Sequence, residues 1–394
     1  MKILFVARSN SIHTARWISQ LSETGWDFYL FPSIDNGRTH QDLRNITIYH
    51  SFYSSNKQKP LTVRIKGFPV IFKTLAAIGR IAIKIFFPNY RKKQLKKIIQ
   101  EIKPDIIHSL EFQAAGYLVL EIKKELKNEF PPWIATNWGS DIYHFGRFKD
   151  HKEKITDILS LCDYYQCECN RDIELAKKMG LTGKIFPVVP NTGGFDLKQI
   201  SEFGIRTPPS SRKIIVLKGY QGWAGRALVG LRALELCADY LNEFTVVLYS
   251  ADSPEVKIAA ELFSDSTNIP AIIMPPSSHE DILKLFGQAR IYLGLSISDA
   301  ISTSLLEALI MGAFPIQSNT SCADEWIIDG KSGFIVPPED PDVIASAIRK
   351  AITDDNLVDT AAQINEETAK KNLDFFVIRE KVIELYTKLV TDKS

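Results

Sequence analysis

The chain has little cysteine, and what it has is uneven in number. Five cysteines in 394 residues (Cys162, Cys167, Cys169, Cys237, Cys322) exclude a disulfide-built scaffold. The cluster CDYYQCEC has no second ligand pair at zinc-type spacing, so these read as ordinary reduced thiols. Charge of one sign is also lacking. The formal net charge is +2, which gives no global case for nucleic-acid binding. No uninterrupted apolar run is long enough to cross a bilayer. The nearest approach, residues 68–87, contains Lys73, Arg80 and Lys84, each costing about 2.5–3.5 kcal/mol at a bilayer centre. The opening MKILFVARSNSIHTARW has only a short apolar run before Arg8; it reads as a first strand rather than a signal peptide, so a cytoplasmic location is expected. Internal repeats and low-complexity tracts are absent too.

What remains is globular: 45% hydrophobic and 24% charged, enough apolar material for two cores. Short apolar runs alternate with segments of helical periodicity. KILFVA, WDFYLFPS, NITIYHS, PDIIHSL, PWIATNWG, CDYYQCEC and KIFPVVPN read as strands of a first domain. KIIVLKGY, TVVLYS, AIIMPP, IYLGLSI, FPIQS and FIVP read as strands of a second. Alternation of this kind predicts α/β architecture with doubly wound parallel sheets. The polar, Pro/Ser-rich stretch 196–212 reads as a linker, giving domains over 1–195 and 213–375. The last segment, 376–394, has apolar residues at helical spacing.

Residues 57–103 form a basic arm. Thirteen Lys and Arg residues from Lys57 to Lys103 face a single acid, Glu101, and are interleaved with Phe, Ile, Leu and Val. The arm reads as a long basic helical region. Spanning is disfavoured by its internal cations, so the expectation is interfacial contact with an anionic membrane surface. The competing reading is a core helix with solvated lysines.

The most informative stretch is SISDAISTSLLEALIMGAFPIQS, Ser296 to Ser318. A strand feeds a polar turn, then a helix, then Gly312 and a second strand. At such a helix start, free N–H groups and the helix dipole favour a phosphate. Glu307, a little over one turn in, leans back toward that end and suits neutral hydroxyls such as those of a ribose. The bland reading of an acid here is dipole complementarity alone. The pattern D-A-I-S-T-S-L-L-E-A-L-I-M-G-A-F-P-I, followed by Glu325 in ADEWI and by DGKSGFIVPPEDPDVIASAI, resembles the donor-site motif train of retaining GT-B glycosyltransferases, family 4.

That resemblance implies two Rossmann-like domains facing a central cleft, with the C-terminal helix returning to the first. It implies transfer of a hexose or N-acetylhexosamine from a UDP- or GDP-sugar to a saccharide or lipid-linked acceptor, in cell-surface glycan synthesis on the cytoplasmic membrane face. By the same resemblance Glu307 binds ribose and Asp299, replacing the family's first Glu, contacts the transferred sugar. Lys218 and Arg226 in VLKGYQGWAGRAL meet the diphosphate, with residue types swapped and spacing altered relative to the family. Gly219 allows close backbone approach. Backbone and hydroxyls over Ser302, Thr303, Ser304 and Leu305 add donors, and Pro275 lies where the base is read. In the first domain TNWGSD places Trp138 where the family carries His. His13 and His108 remain as candidate bases, each also explicable as structural, and Asp141 can cap a helix, accept a proton or contact sugar. No convincing D-x-D metal motif is found, and the cationic loop can neutralise the diphosphate, so no metal cofactor is expected. The alternative reading is a non-catalytic nucleotide-sugar-binding subunit.

Overall fold

A computed structural model describes residues 1–54, 62–203 and 207–391. Lys57 and Lys59 of the basic arm lie outside the described residues. The chain divides into two units, one comprising Met1–Gly193 with Ile378–Ser394 and the other Gly194–Val377.

In the first unit, burial with period two sets the architecture. Along β1 (Lys2–Ala7), Ile3, Phe5 and Ala7 enter one core while Leu4 and Val6 enter another. A strand buried on both faces belongs in the middle of a parallel sheet covered by helices, and β1 is there. The remaining strands are β2 (Asp27–Pro32), β3 (Ile46–Ser54), β4 (Val63–Val70), β5 (Ile106–Leu110), β6 (Trp133–Thr136), β7 (Tyr164–Gln166) and β8 (Lys184–Ile185). Their order is β4-β3-β2-β1-β5-β6-β7-β8, every pair parallel. β4 corrects the expectation of a wholly helical basic arm. The segment VRIKGFPV is an edge strand, where cations and a proline are tolerated because one side has no partner. Helices Lys73–Phe86 and Tyr90–Ile102 follow it.

The terminal helix, Phe375–Thr391, seats Ile378, Val382, Leu385, Tyr386 and Leu389 in the core that contains Ile3 and Phe5. Its Tyr386 hydroxyl accepts from Trp17 Nε1 at 2.9 Å and meets His108 Nδ1 at 2.6 Å; His108 Nε2 lies 2.6 Å from Thr136 Oγ1. A consistent proton order has Tyr386 donating to Nδ1 and Nε2–H donating to Thr136.

The second unit holds β9 (Ile214–Lys218), β10 (Thr245–Tyr249), β11 (Ala271–Ile273), β12 (Ala289–Gly294), β13 (Phe314–Ser318) and β14 (Phe334–Val336). All pair in parallel, in the order β11-β10-β9-β12-β13-β14. Counted within the unit this is 3-2-1-4-5-6, the doubly wound order of dinucleotide-binding sheets. The expected linker is built into this unit. Arg212 donates to the carbonyls of Thr207, Ala289 and Met311, and Ser210 bonds Asp359 through both its N–H and its hydroxyl. Residues 204–206 of that stretch lie outside the described residues.

Candidate active site

Strand order alone locates a crevice in the second unit. From β9 the chain winds one way to β10 and β11; from β12 it winds the other way. Their carboxyl ends diverge at this switch point, where ligands of open α/β sheets bind. β9 ends at Lys218 and β12 at Gly294. Between them the loop after β9 runs antiparallel to the loop after β12. Arg226 N–H donates to the Leu295 carbonyl at 3.1 Å, Ile297 N–H to Ala224 at 2.9 Å, and Gly225 bridges Ser296. A Cβ on Gly219 would stand 2.5 Å from Ala251 Cβ, and one on Gly225 would stand 2.0 Å from the Tyr220 carbonyl oxygen. These two glycines therefore serve close packing of chain on chain.

Two cations border the crevice. The Lys218 side chain is half-buried and makes no hydrogen bond or ion pair among the described residues. It is close enough to Tyr292 to pull that phenol's pKa down against the burial that raises it. Arg226 is held by the carbonyls of Gly222 and Gly225 and by an ion pair with Glu339 at 2.5 Å. Opposite, the helix Thr303–Met311 begins at Ser302 without a side-chain cap. The first N–H groups of that helix are left for another acceptor. Ser302 Oγ is itself buried with no aligned partner. Leu305 is fully buried beneath the helix.

Glu307 sits on that helix with its carboxylate buried. Its Oε1 lies 2.7 Å from Nε2 of His279. His279 opens the helix His279–Gln288, and a capping box between Ser278 and Asp281 fixes that helix start. The hydroxyls of Tyr249 and Tyr292 lie within the field of Glu307, and burial raises both pKa values. Neither hydroxyl has an aligned hydrogen bond. Lys218, Tyr292, Ser302 and Glu307 are thus one neighbourhood, polar and incompletely satisfied. Asp299 is half-buried in the turn before the helix. Its Oδ1 accepts from Ala300 N–H at 2.9 Å, and its own N–H donates to Thr320 at 3.4 Å. Pro275 is exposed beyond β11, its carbonyl accepting from Ser277.

The first unit has its own switch point, between β1 and β5. His13 lies in the first turn of the helix Ile12–Ser19, capped by Ser11. Its ring packs edge-on against Trp138, centroids 5.6 Å apart, so the tryptophan in TNWGSD and this histidine are neighbours. Asp141 is buried and Oδ2 accepts from the N–H groups of Trp138 and Phe112, both at 2.8 Å. It closes the turn after β6 onto the start of the turn after β5. Burial and the nearby Glu111 push its pKa well up. His108 corrects an expectation. It is fully buried, both ring nitrogens have partners, and burial pushes its pKa down to about 3. It holds the terminal helix and is not an accessible base.

Comparison with known families agrees with this geometry. Residues 256–371 match the family model of glycosyl transferases group 1, and residues 76–162 match that of glycosyl transferase 4-like proteins. The chain belongs to the GT-B glycosyltransferases. Solved structures share the fold across its whole length. Sucrose-phosphate synthase from Thermosynechococcus elongatus is 14% identical, with all of both chains covered and a TM-score of 0.72. HepE of Anabaena, solved with UDP-glucose, is 14% identical over 98% of this chain and 100% of its own, TM-score 0.68. A trehalose-6-phosphate synthase, studied for glycosyl transfer with retention, is 12% identical over 99% of each chain, TM-score 0.69. A search of curated proteins finds no match.

In this glycosyltransferase the group 1 segment contains Pro275, Asp299, Ser302 to Leu305 and Glu307, while Lys218 and Arg226 precede it. Four neighbouring residues were not nominated from the sequence. His279 carries a local signal, the S-x-x-D capping box of SSHED ahead of an apolar run, but nothing local ties it to Glu307. Glu339 and the Tyr249–Tyr292 pair carry none, because their positions depend on strand order.

Proposed function

We propose that this glycosyltransferase transfers a hexose or N-acetylhexosamine, with retention and without a metal, from a UDP- or GDP-sugar to a saccharide or lipid-linked acceptor of a cell-surface glycan, at the cytoplasmic face of a membrane. The observation that carries the reading is the β9/β12 switch point. A half-buried lysine without an ion pair, an uncapped helix start and a buried carboxylate converge there. The cations and amides suit a diphosphate; the carboxylate suits neutral hydroxyls. UDP is favoured over GDP because UDP-glucose is bound by HepE, a structural relative.

In the proposed reaction the bond from the sugar C1 to the diphosphate oxygen breaks and a bond from the acceptor oxygen to C1 forms on the same face. The acceptor proton passes to the departing phosphate oxygen, so no protein base is required. Lys218, Arg226 and the N–H groups at Thr303 and Ser304 stabilise the charge that develops on the leaving group. Asp299 orients the sugar, and His13 beside Trp138 serves the acceptor. A thermal-shift panel of UDP-, GDP- and ADP-sugars tests the donor, and NMR of the product tests retention. An inverted anomeric centre would overturn the stereochemistry, and activity lost with EDTA and restored by manganese would overturn metal independence.

A further inference from the structure

The segment from β4 through the helix Lys73–Phe86 turns apolar side chains outward on an unusual scale. Of the twenty-two large apolar side chains exposed among the described residues, nine fall within residues 68–87. Phe68, Phe72, Ile78, Ile81, Ile85 and Phe86 are each between 59% and 72% exposed. Ala76 is the helix's buried residue; a helix that rested its apolar face on the core would bury that face instead. At about 100° per residue, Ile78, Ile81 and Ile85 share one stripe. Lys73, Arg80 and Lys84 fall together on another side, bordering it.

The structure also separates committed cations from available ones. Arg91 is half-buried over the Phe31 ring and bound to Asp35 and the Pro32 carbonyl. Lys92 and Lys96 pair with Glu121 and Glu125, and Lys97 with Glu101. By contrast Arg64, Lys73, Lys84 and Lys93 form no ion pair or side-chain hydrogen bond among the described residues, whereas Arg80 donates to the Phe52 carbonyl at 2.8 Å and Lys66 to the Tyr49 hydroxyl at 3.4 Å. The available charge therefore lies on β4 and the outward helix, together with the apolar side chains.

We propose that β4 and the helix Lys73–Phe86 form a docking surface for an anionic lipid bilayer. The helix lies in the interface with Ile78, Ile81 and Ile85 in the acyl boundary and Lys73 and Lys84 at the headgroups. Among the described residues no helix is long and apolar enough to cross a membrane. At 1.5 Å per residue its 14 residues reach about 21 Å, short of a hydrocarbon core of about 30 Å. A second copy of the chain fits poorly, because a two-fold contact sets the same patch against itself and would bring these cations face to face with no acid between them. This surface stands independently of the donor site, and its test needs no donor.

The test is co-sedimentation of the full chain with vesicles of phosphatidylcholine alone or with about 30% phosphatidylglycerol. The expected result is binding to the anionic vesicles that weakens with salt. Lys73→Gln with Lys84→Gln should weaken it about 30-fold, two cations at about fivefold each. Ile78→Glu with Ile85→Glu should abolish it, while Lys92→Gln should change it less than twofold. Unchanged circular dichroism and an unchanged melting temperature show that the variants fold. The proposal is overturned if the wild type ignores anionic vesicles at low salt, if the isoleucine variant binds as well as wild type, or if wild type self-associates through this patch and loses that with the same substitutions.

Discussion

Glu307 offers the sharpest test of the donor site, because its geometry separates two explanations. Its carboxylate is buried and meets His279 Nε2 at 2.7 Å, on a side chain that is 43% exposed. Truncation to alanine leaves that exposed imidazole in contact with water, so little stability should be lost. If the carboxylate instead accepts from two ribose hydroxyls, each charge-assisted bond contributes about 1.5–3 kcal/mol. Net of water recovered by the hydroxyls, Glu307→Ala should weaken the nucleotide by about 3 kcal/mol, on the order of 150-fold in Kd. Glu307→Gln keeps the shape and an acceptor but not the charge, and should cost about 1–2 kcal/mol. Calorimetric titration with the preferred nucleoside diphosphate and its deoxyribose analogues closes a double cycle. The wild type should discriminate against the deoxy analogues and Glu307→Ala should not. If the alanine variant discriminates as strongly as wild type, or binds the ribonucleotide unchanged, Glu307 does not hold the ribose.

Two further outcomes follow from charge. Arg226 is tied to Glu339 by an ion pair open to solvent on the Glu339 side, of a kind contributing about 0–1 kcal/mol; Glu339→Gln should therefore tighten diphosphate binding by up to about fivefold in a thermal-shift titration, with the gain shrinking as salt rises. His108 is the pH case. Its folded pKa, near 3, lies below the unfolded value of about 6.5, so the unfolded state binds the proton first. Stability is full above about pH 6.5 and falls as pH drops from there toward 3, by about 2 kcal/mol at pH 5. Urea melts across that range should show the slope in the wild type and a flatter one in His108→Gln; equal slopes would refute the assignment.

Most of the fold was legible because parallel strands buried on both faces leave continuous apolar runs, as in IIVL of β9 and ARIYLG of β12, all of whose residues are buried in the second case. β4 was illegible for the complementary reason. An edge strand has no need of such a run, and VRIKGFPV, with Lys, Gly and Pro inside it, has mostly exposed residues. The interleaved cations that made it look helical are what an edge strand uses to resist further pairing.

The site divides along the same line. Lys218 with Gly219, and Ser302 with Glu307, are close in sequence, and the family resemblance of those short segments was enough to nominate them. His279 meets Glu307 from 28 residues upstream, on a helix that follows β11 at one edge of the sheet. Only the 3-2-1-4-5-6 order shows how β10 and β12, and with them Tyr249 and Tyr292, come to flank β9. His108 failed in the opposite direction. Its place near the end of the PDIIHS strand made it a candidate base, yet alternation turns it toward the face covered by the terminal helix, where Tyr386 waits 278 residues later in the chain. A strand-end residue is a candidate for chemistry only if its side chain points away from the packed layers, and that depends on which distant helix covers which face. Lys218 passes that test because its half-buried ammonium borders the β9/β12 crevice with no ion pair among the described residues; His108 fails it because both its nitrogens are already used to hold the fold together.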